Sequence, residues 1–202
     1  MPATTKPDDV NLPNAPGIPG LRFRPFRGEA DFPAVAAVAA ACKDVDSVQE
    51  VTTAESIAFD FAHRSDFDPQ RDVLLAEIEG AAIGTSQVGW WHEMDGNRIY
   101  HVFGQLVPAW RRRGIGRALL RWSERRAREI AADHPPDGKR WLQSTWSDVA
   151  PHRRFLLEAA GYRPVTHFAD MLRPDLDDIP EAALPAGLEV RPVMLEHYRA
   201  IW

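Results

Sequence analysis

Three consecutive arginines, Arg111, Arg112 and Arg113, run directly into Gly114 and Gly116, and this is the stretch of the sequence best suited to chemistry. The apolar run from Ile99 to Val107 predicts a buried strand, Pro108 stops it, and the glycines open a run of helix formers. A strand that turns through glycines into a helix presents unpaired main-chain N–H groups at the positive end of the helix dipole. Such a junction binds anions, phosphate and pyrophosphate above all. Glycine lets the ligand's oxygens approach the amides, and the arginines add fixed charge with several donors each. The plainer alternative is a glycine-rich connection beside a solvated arginine patch. No Lys-Ser or Lys-Thr follows the glycines, and Leu119 stands where a third glycine would complete a dinucleotide fingerprint.

The totals narrow the classes. A chain of 202 residues holds one domain with a full core and a remainder. Its formal net charge of −5 argues against a nucleic-acid binder, including an arginine-rich module built on Arg121 to Arg128. No window carries the ~20 apolar residues of a membrane span, and the N-terminus lacks the apolar core of a signal peptide. Cys42 is the only cysteine, so no internal disulfide and no cysteine-based zinc cluster can form. The expectation is a cytoplasmic protein with no metal, no membrane partner and no nucleic-acid partner.

The elements that must position the loop follow from periodicity. Met1 to Gly20 holds five prolines without periodicity and reads as a flexible tail. Leu21 to Phe26 reads as a short edge strand. Asp31 caps a helix with Pro33 in its first turn and Phe32, Val35, Val38 and Cys42 facing inward. Thr52-x-x-Glu55 reads as a capping box for a second helix ending near Arg64. Asp72 to Trp91, turning at Glu79-Gly80, reads as a hairpin, and Asp95-Gly96 leads into the strand Arg98 to Val107. The helix after the loop, Gly116 to about Ala131, buries Ile115, Ala118, Leu119, Trp122 and Ile130. Arg126 on that apolar face reads as a snorkelling side chain. Trp141 to Trp146 predicts a strand parallel to its predecessor. A short helix to Ala160 ends at Gly161, and one or two strands follow within Tyr162 to Leu172.

Arg111-x-x-Gly114-x-Gly116 after a strand ending in Val-Pro, within this order of elements over Leu21 to Arg173, resembles the GCN5-related N-acetyltransferase (GNAT) superfamily. Ala160-Gly161-Tyr162 resembles the family's aromatic turn. The resemblance implies an α/β (α+β) fold: a mixed, mostly antiparallel central sheet with a splayed parallel strand pair and flanking helices. It implies acetyl-CoA as co-substrate. Leu106 and Val107 would meet the pantetheine arm, and Arg111, Arg112, Arg113, Gly114, Ile115, Gly116, Arg117 and Ala118 would surround the pyrophosphate. Two positions depart from the family. Leu157 stands where many members carry a tyrosine acid, and Asp148-Val149-Ala150-Pro151-His152 replaces a segment that often holds an asparagine.

Acyl transfer to an amine needs a neutral amine, a route for its proton and donors for the developing oxyanion. The candidate bases are His101, in the middle of the loop-preceding strand, and Glu93, in the turn before it. His92, Asp148 and His152 are alternatives, as are packing or solvated roles for each. Trp90, Trp91 and Trp146 could wall an acceptor pocket or simply pack. The leading reading is an acetyl-CoA-dependent N-acetyltransferase acting on a primary amine of a small molecule or peptide. The alternative is a non-catalytic acyl-CoA-binding half of a tandem protein.

The tandem idea comes from an echo. Gly187-Leu188-Glu189-Val190-Arg191-Pro192-Val193 repeats the pattern of Gly20-Leu21-Arg22-Phe23-Arg24-Pro25-Phe26. The implied layout is a flexible tail (1–20), a GNAT-like domain (21–173), a linker (174–187) and the start of a second GNAT-like unit (188–202), as in mycothiol synthase-like proteins. The terminal strand would need a sheet edge in its own unit or in another molecule, which leaves a homodimer open.

Overall fold

The computed structural model describes residues 9–46, 51–169, 171, 173–175, 177 and 182–198. Two units follow one another, Met1–Arg163 and Pro164–Trp202. The first is built on strands β1 (Leu21–Pro25), β2 (Val73–Ile78), β3 (Ala81–His92), β4 (Arg98–Leu106) and β5 (Arg140–Gln143). They lie side by side in that order, antiparallel up to β4, with β4 and β5 parallel. This is the mixed, mostly antiparallel sheet with one parallel pair that the sequence resemblance implies. Helices α1 (Phe32–Lys43), α2 (Ala54–His63), α3 (Pro69–Asp72), α4 (Ile115–Ala132) and α5 (Pro151–Ala159) complete the unit.

Period-two alternation splits the apolar residues between the faces of the sheet. Leu74, Ala76, Ile83, Val88, Tyr100 and Val102 pack with the α4 stripe of Ile115, Leu119 and Trp122. Val73 and Leu75 point the other way, into a cluster with Phe26, Ile57 and Phe61. The β2–β3 hairpin turns through Glu79 (φ 51) and Gly80 (φ 85), the positive-φ pair that a two-residue hairpin needs.

Buried charge ties helices to sheet. Arg24 donates to Asp31 from both terminal nitrogens (2.6 and 2.8 Å) and to Glu77 from Nε (2.7 Å). Asp31 stands at the N-terminus of α1 but makes no side-chain cap there, because its carboxylate is taken by Arg24 and by the Arg27 amide (2.7 Å). Arg126 is not the snorkelling side chain of the sequence reading: its Nε donates to the buried Asp72 at 2.8 Å, pinning α4 to α3. A cation on an apolar helix face was the visible signal, and its partner lies 54 residues away.

Other expectations are corrected. Residues 9–20 do not trail as part of a flexible tail. The Val10 N–H donates to the Phe23 carbonyl at 2.7 Å, Asp9 pairs with Arg22, and Leu12 is buried in the main core. This segment covers the outer edge of β1, and its prolines suit it because they bring no N–H to satisfy. Residues 1–8 of the expected tail lie outside the described residues. The α2 cap is one residue later than expected, with Thr53 and Ser56 exchanging the capping-box bonds. β5 stops at Gln143 rather than Trp146.

In the second unit no strand forms among the described residues, so the strands expected within Tyr162 to Leu172 and at Leu188 to Val193 are absent there. Val165, Phe168, Leu188 and Val190 are exposed, and without a ladder partner an apolar run has no reason to stay extended. Its regular structure is a 3-10 turn at Leu195–His197. Residues 199–202 of the expected second unit lie outside the described residues.

The Arg24 cluster yields a prediction. Burial pushes the Asp31 carboxyl up, but the bonds from Arg24 and the Arg27 amide outweigh it and hold it below the ordinary range. Asp31 therefore adds stability above its unfolded pKa, about 3.9, and that stability is lost as pH falls through the lower folded value. Arg24→Met should cost about 3–5 kcal/mol by leaving two buried carboxylates unpaired. Urea denaturation at pH 7 measures it, and the gap to wild type should narrow at acid pH as the Asp31 carboxyl protonates.

Candidate active site

β4 and β5 pair over only four positions, Arg98↔Arg140 to His101↔Gln143, although β4 runs on to Leu106. Beyond them the strands part. The direction of the freed groups follows from the partner strand: the Val107 N–H donates to Ile83 and the Glu93 N–H to Asn97, so odd-numbered residues of β4 face β3. The even-numbered main-chain groups, including those of Gly104 and Leu106, face the gap. A cavity of about 420 Å³ opens there, walled by Val102 to Leu106, by α4 and by Arg153, Leu156 and Leu157 of α5.

Two of the exposed carbonyls are already met. Arg153 donates to the Gly104 carbonyl at 2.6 Å, and Arg111 Nε to the Leu106 carbonyl at 2.8 Å. Arg111 also grips Asp46 with both terminal nitrogens (2.7 and 2.8 Å), joining the loop to the end of α1. The buried Cys42 thiol reaches the same Leu106 carbonyl at 3.4 Å; burial pushes its pKa up, so it stays a protonated donor. His152 lies at this cluster, 3.7 Å from Asp46, with its pKa pushed down by burial and then by Arg111.

At the mouth of the gap the chain bends through Arg112 (φ 61) and Gly114 (φ 88) into α4. A non-glycine residue at φ 88 would be strained, so Gly114 is there for its conformation. The first main-chain bond of α4 runs from Ala118 to Gly114, leaving the amides of Ile115, Gly116 and Arg117 without helical partners. Arg112 and Arg117 line the cavity and form no ion pair among the described residues. Arg113 instead stacks on Trp110, 4.8 Å from its ring centre. Ile115 and Ala118 turn their side chains into the core. Of the expected residues, then, Leu106, Arg112, Gly114, Gly116 and Arg117 meet the cavity directly, Arg111 meets it while held by Asp46, and Ile115 offers its amide. Val107 and Ala118, whose amides are taken by Ile83 and Gly114, and Arg113 do not line it.

A second cavity, about 360 Å³, lies on the α1–α2 side of the sheet, lined in part by Val35, Ile57, Phe61, Thr85 and Gln87. Phe103 and Gln105 line both cavities, so the two adjoin across these residues near the parting point of β4. His101 shares the strand face of Phe103 but lines neither cavity; two residues of strand put it roughly 6.6 Å away along β4. Burial, then the charges of Arg153 and Arg64, push its pKa below the ordinary imidazole value. A neutral ring can accept a proton.

The remaining candidates are scattered. Glu93 and His92 are exposed at the far end of the β3–β4 hairpin, the end of β4 opposite the loop. Asp148 is exposed and does not cap α5. Trp90 packs on His134 with ring centres 4.1 Å apart, and Trp146 lies against Arg154; neither lines either of these two cavities. Trp91 is exposed, its ring centre 5.9 Å from that of His101. Leu157 is buried and apolar. Sequence reasoning missed Asp46 and Arg153. An arginine four residues before Leu157 on a short helix was a usable sign for the second. Nothing local marked Asp46. Among the described residues no group of three His, Cys, Asp or Glu is placed to hold a metal ion, and no helix is long and apolar enough to cross a membrane.

Gly116 supplies a test of the anion loop. A Cβ there would meet Leu156 at 3.5 Å and Leu106 at 4.0 Å, ordinary contact. Gly116→Asp should fold normally while setting a carboxylate among the free amides. Acetyl-CoA should raise the melting temperature of the wild type and not of the variant; an equal rise in both would count against a phosphate-binding loop.

Residues 39–135, just under half of the chain, match the sequence profile of the Acetyltransferase (GNAT) family. None of the curated proteins matches. Among solved structures, a GCN5-related N-acetyltransferase from Sphaerobacter thermophilus superposes with a TM-score of 0.61 at 23% identity over 73% of this chain. The match spans only 45% of that protein's length. Aminoglycoside N-acetyltransferase AAC(6')-Iy in complex with CoA gives 0.52 at 12% identity, over 82% of this chain and 100% of that one. The Salmonella typhimurium protein yncA, solved with its cofactor acetyl-CoA, gives 0.55 at 18% identity, over 73% and 82%.

Proposed function

We propose, on the premise that the chain carries a GNAT-superfamily acetyltransferase domain, that it moves an acetyl group from acetyl-CoA to a primary amine of a small molecule or peptide. The observation that carries this reading is the parting of β4 from β5 into a cleft rimmed by the free amides of α4. The residues present fit the cofactor. Ile115, Gly116 and Arg117 would hold the pyrophosphate through their amides, with Arg112 and Arg117 adding charge. The gap-facing amides of Gly104 and Leu106 would hold the pantetheine arm and the thioester. CoA-bound and acetyl-CoA-bound relatives of the same fold support the choice of cofactor.

When bound, acetyl-CoA supplies a thioester whose carbonyl carbon bonds to the amine nitrogen as the C–S bond breaks and the thiolate leaves. The amine would arrive through the second cavity, since that cavity adjoins the first across Phe103 and Gln105. His101 would take the amine's proton through a water, because it stands one strand repeat from Phe103. Leu157 has no proton to give, so solvent would reprotonate the thiolate. A cytoplasmic location goes with a cytosolic acyl donor.

A second reading is favoured by the same buried Leu157 and by the absence of His101 from either cavity wall: this domain would bind acyl-CoA without turnover, as one half of a tandem protein. The echo at Gly187 to Val193 supports residues 188–202 as the start of a second such unit. The Sphaerobacter protein, matched over 45% of its length, has room for one.

His101 separates the two readings. Turnover of an amine panel should rise with pH as the imidazole loses its proton, with a midpoint below about 6.5, the direction set by burial and the two arginines. His101→Ala should lower kcat about 10²-fold and leave acetyl-CoA affinity unchanged. Acetyl-CoA binding with no thiol released from any amine would select the non-catalytic half.

A further inference from the structure

Arg153 is a cation placed at the transfer point and not used by a carboxylate. It stands on α5 with its guanidinium 4.4 Å from the centre of the Phe103 ring, and Phe103 is one of the two residues that line both cavities. Its one hydrogen bond is to the Gly104 carbonyl. A guanidinium has five N–H donors, so four remain. Among the described residues no carboxylate lies within 4 Å of it. Asp46, whose charge does reach it, is taken up by Arg111. Arg64, the other cation that acts on His101, pairs with Asp60 at 2.8 Å and donates to Gln87 at 3.1 Å. Burial pushes the Arg153 pKa down, which marks an under-compensated charge in a poorly solvated place.

A guanidinium with unused donors suits a carboxylate, because its planar fork matches the two oxygens. Arg153 itself lines the first cavity, and the second adds room beside it, with Val35, Ile57, Phe61 and Phe103 alternating with polar residues such as Thr52, Ser56, Asp60 and Gln87 in its walls. We propose that Arg153 is the specificity-determining residue of the transfer site and reads a carboxylate on the substrate, most directly that of an α-amino acid. This deepens the acetyl-transfer reading and rests on it. The same fork could instead meet a carboxylate at the end of a longer acyl group, as in a succinyl thioester, and the test separates the two sources.

The experiment is calorimetric and uses the full chain. With CoA present, L-phenylalanine is compared with L-phenylalaninamide, and L-methionine with L-methioninamide. Separately, succinyl-CoA is compared with acetyl-CoA. Each comparison is made in wild type, Arg153→Met and Arg153→Lys. The wild type should bind the carboxylate member of the amine pairs about 10-fold or more tightly, the size of a charge-assisted hydrogen bond. Arg153→Met should flatten that ratio to about one, and Arg153→Lys should restore part of it. If the ratio appears for succinyl-CoA instead and vanishes in Arg153→Met, the carboxylate belongs to the acyl chain and Arg153 still reads it. Equal binding within every pair in the wild type, no binding of any pair's carboxylate member, or a preference that survives Arg153→Met overturns the proposal. Acetyl-CoA affinity is measured on the same samples. Its loss in the wild type would sink the cofactor assignment itself; its retention in Arg153→Met shows that the variant is folded.

Discussion

The parting of β4 and β5 after His101↔Gln143 is the constraint on which the rest of the site depends. A strand that loses its neighbour exposes a row of main-chain donors and acceptors that must find partners. In this molecule two of those acceptors are met by arginines brought from elsewhere: Arg153 from α5 at Gly104 and Arg111 from the loop at Leu106. The open edge is therefore already shaped as a receptor for hydrogen-bonding groups. Its donors remain for a ligand, and its carbonyls are held by cations that such a ligand would displace or share.

Arg111 shows how one side chain serves structure and site together. It lies in the arginine run that marks the anion loop, yet its charge is matched by Asp46 in a two-point pair with both members largely buried. Three elements meet in it: the end of α1, the last residue of β4 and the loop before α4. Its work is to hold the loop, and electrostatic attraction for phosphate passes to Arg112 and Arg117. The pairs Arg24 with Asp31 and Glu77, and Arg126 with Asp72, follow the same logic on the scaffold. Asp31 and Asp72 are buried carboxylates at helix ends, matched by an arginine from a strand and from another helix, which sets where those helices sit on the sheet. Such pairs do little for net stability but are costly to break singly.

Much of the fold was readable because the relevant forces are local. The hairpin turn at Glu79-Gly80, the edge strand at Leu21, the loop at Gly114 and the α4 stripe all depend on residues within a few positions of one another. The Thr52 box failed for a local reason too: Thr53 and Ser56 offer the same chemistry one residue later, with Ser56 replacing the longer acid. The strands expected after Tyr162 and at Leu188 failed differently. An apolar run is extended only when an edge accepts it, and the pattern of the run does not say whether one does.

By itself the sequence determined the alternation that gives the sheet two buried faces, the strand–glycine–helix junction with its free amides, and the order of elements that carries the resemblance to the acetyltransferase fold. Each is set by backbone chemistry and short-range periodicity. Only the tertiary structure decided which charges are spent and which are free. Asp46 lies 65 positions from Arg111, and Gly104 lies 49 from Arg153, so no spacing rule links them. It also separated Glu93 from the site, since both ends of β4 carry candidate residues and only one opens into the cleft. A charged side chain acts through the partner that the fold brings to it, and that partner is a property of the assembled chain.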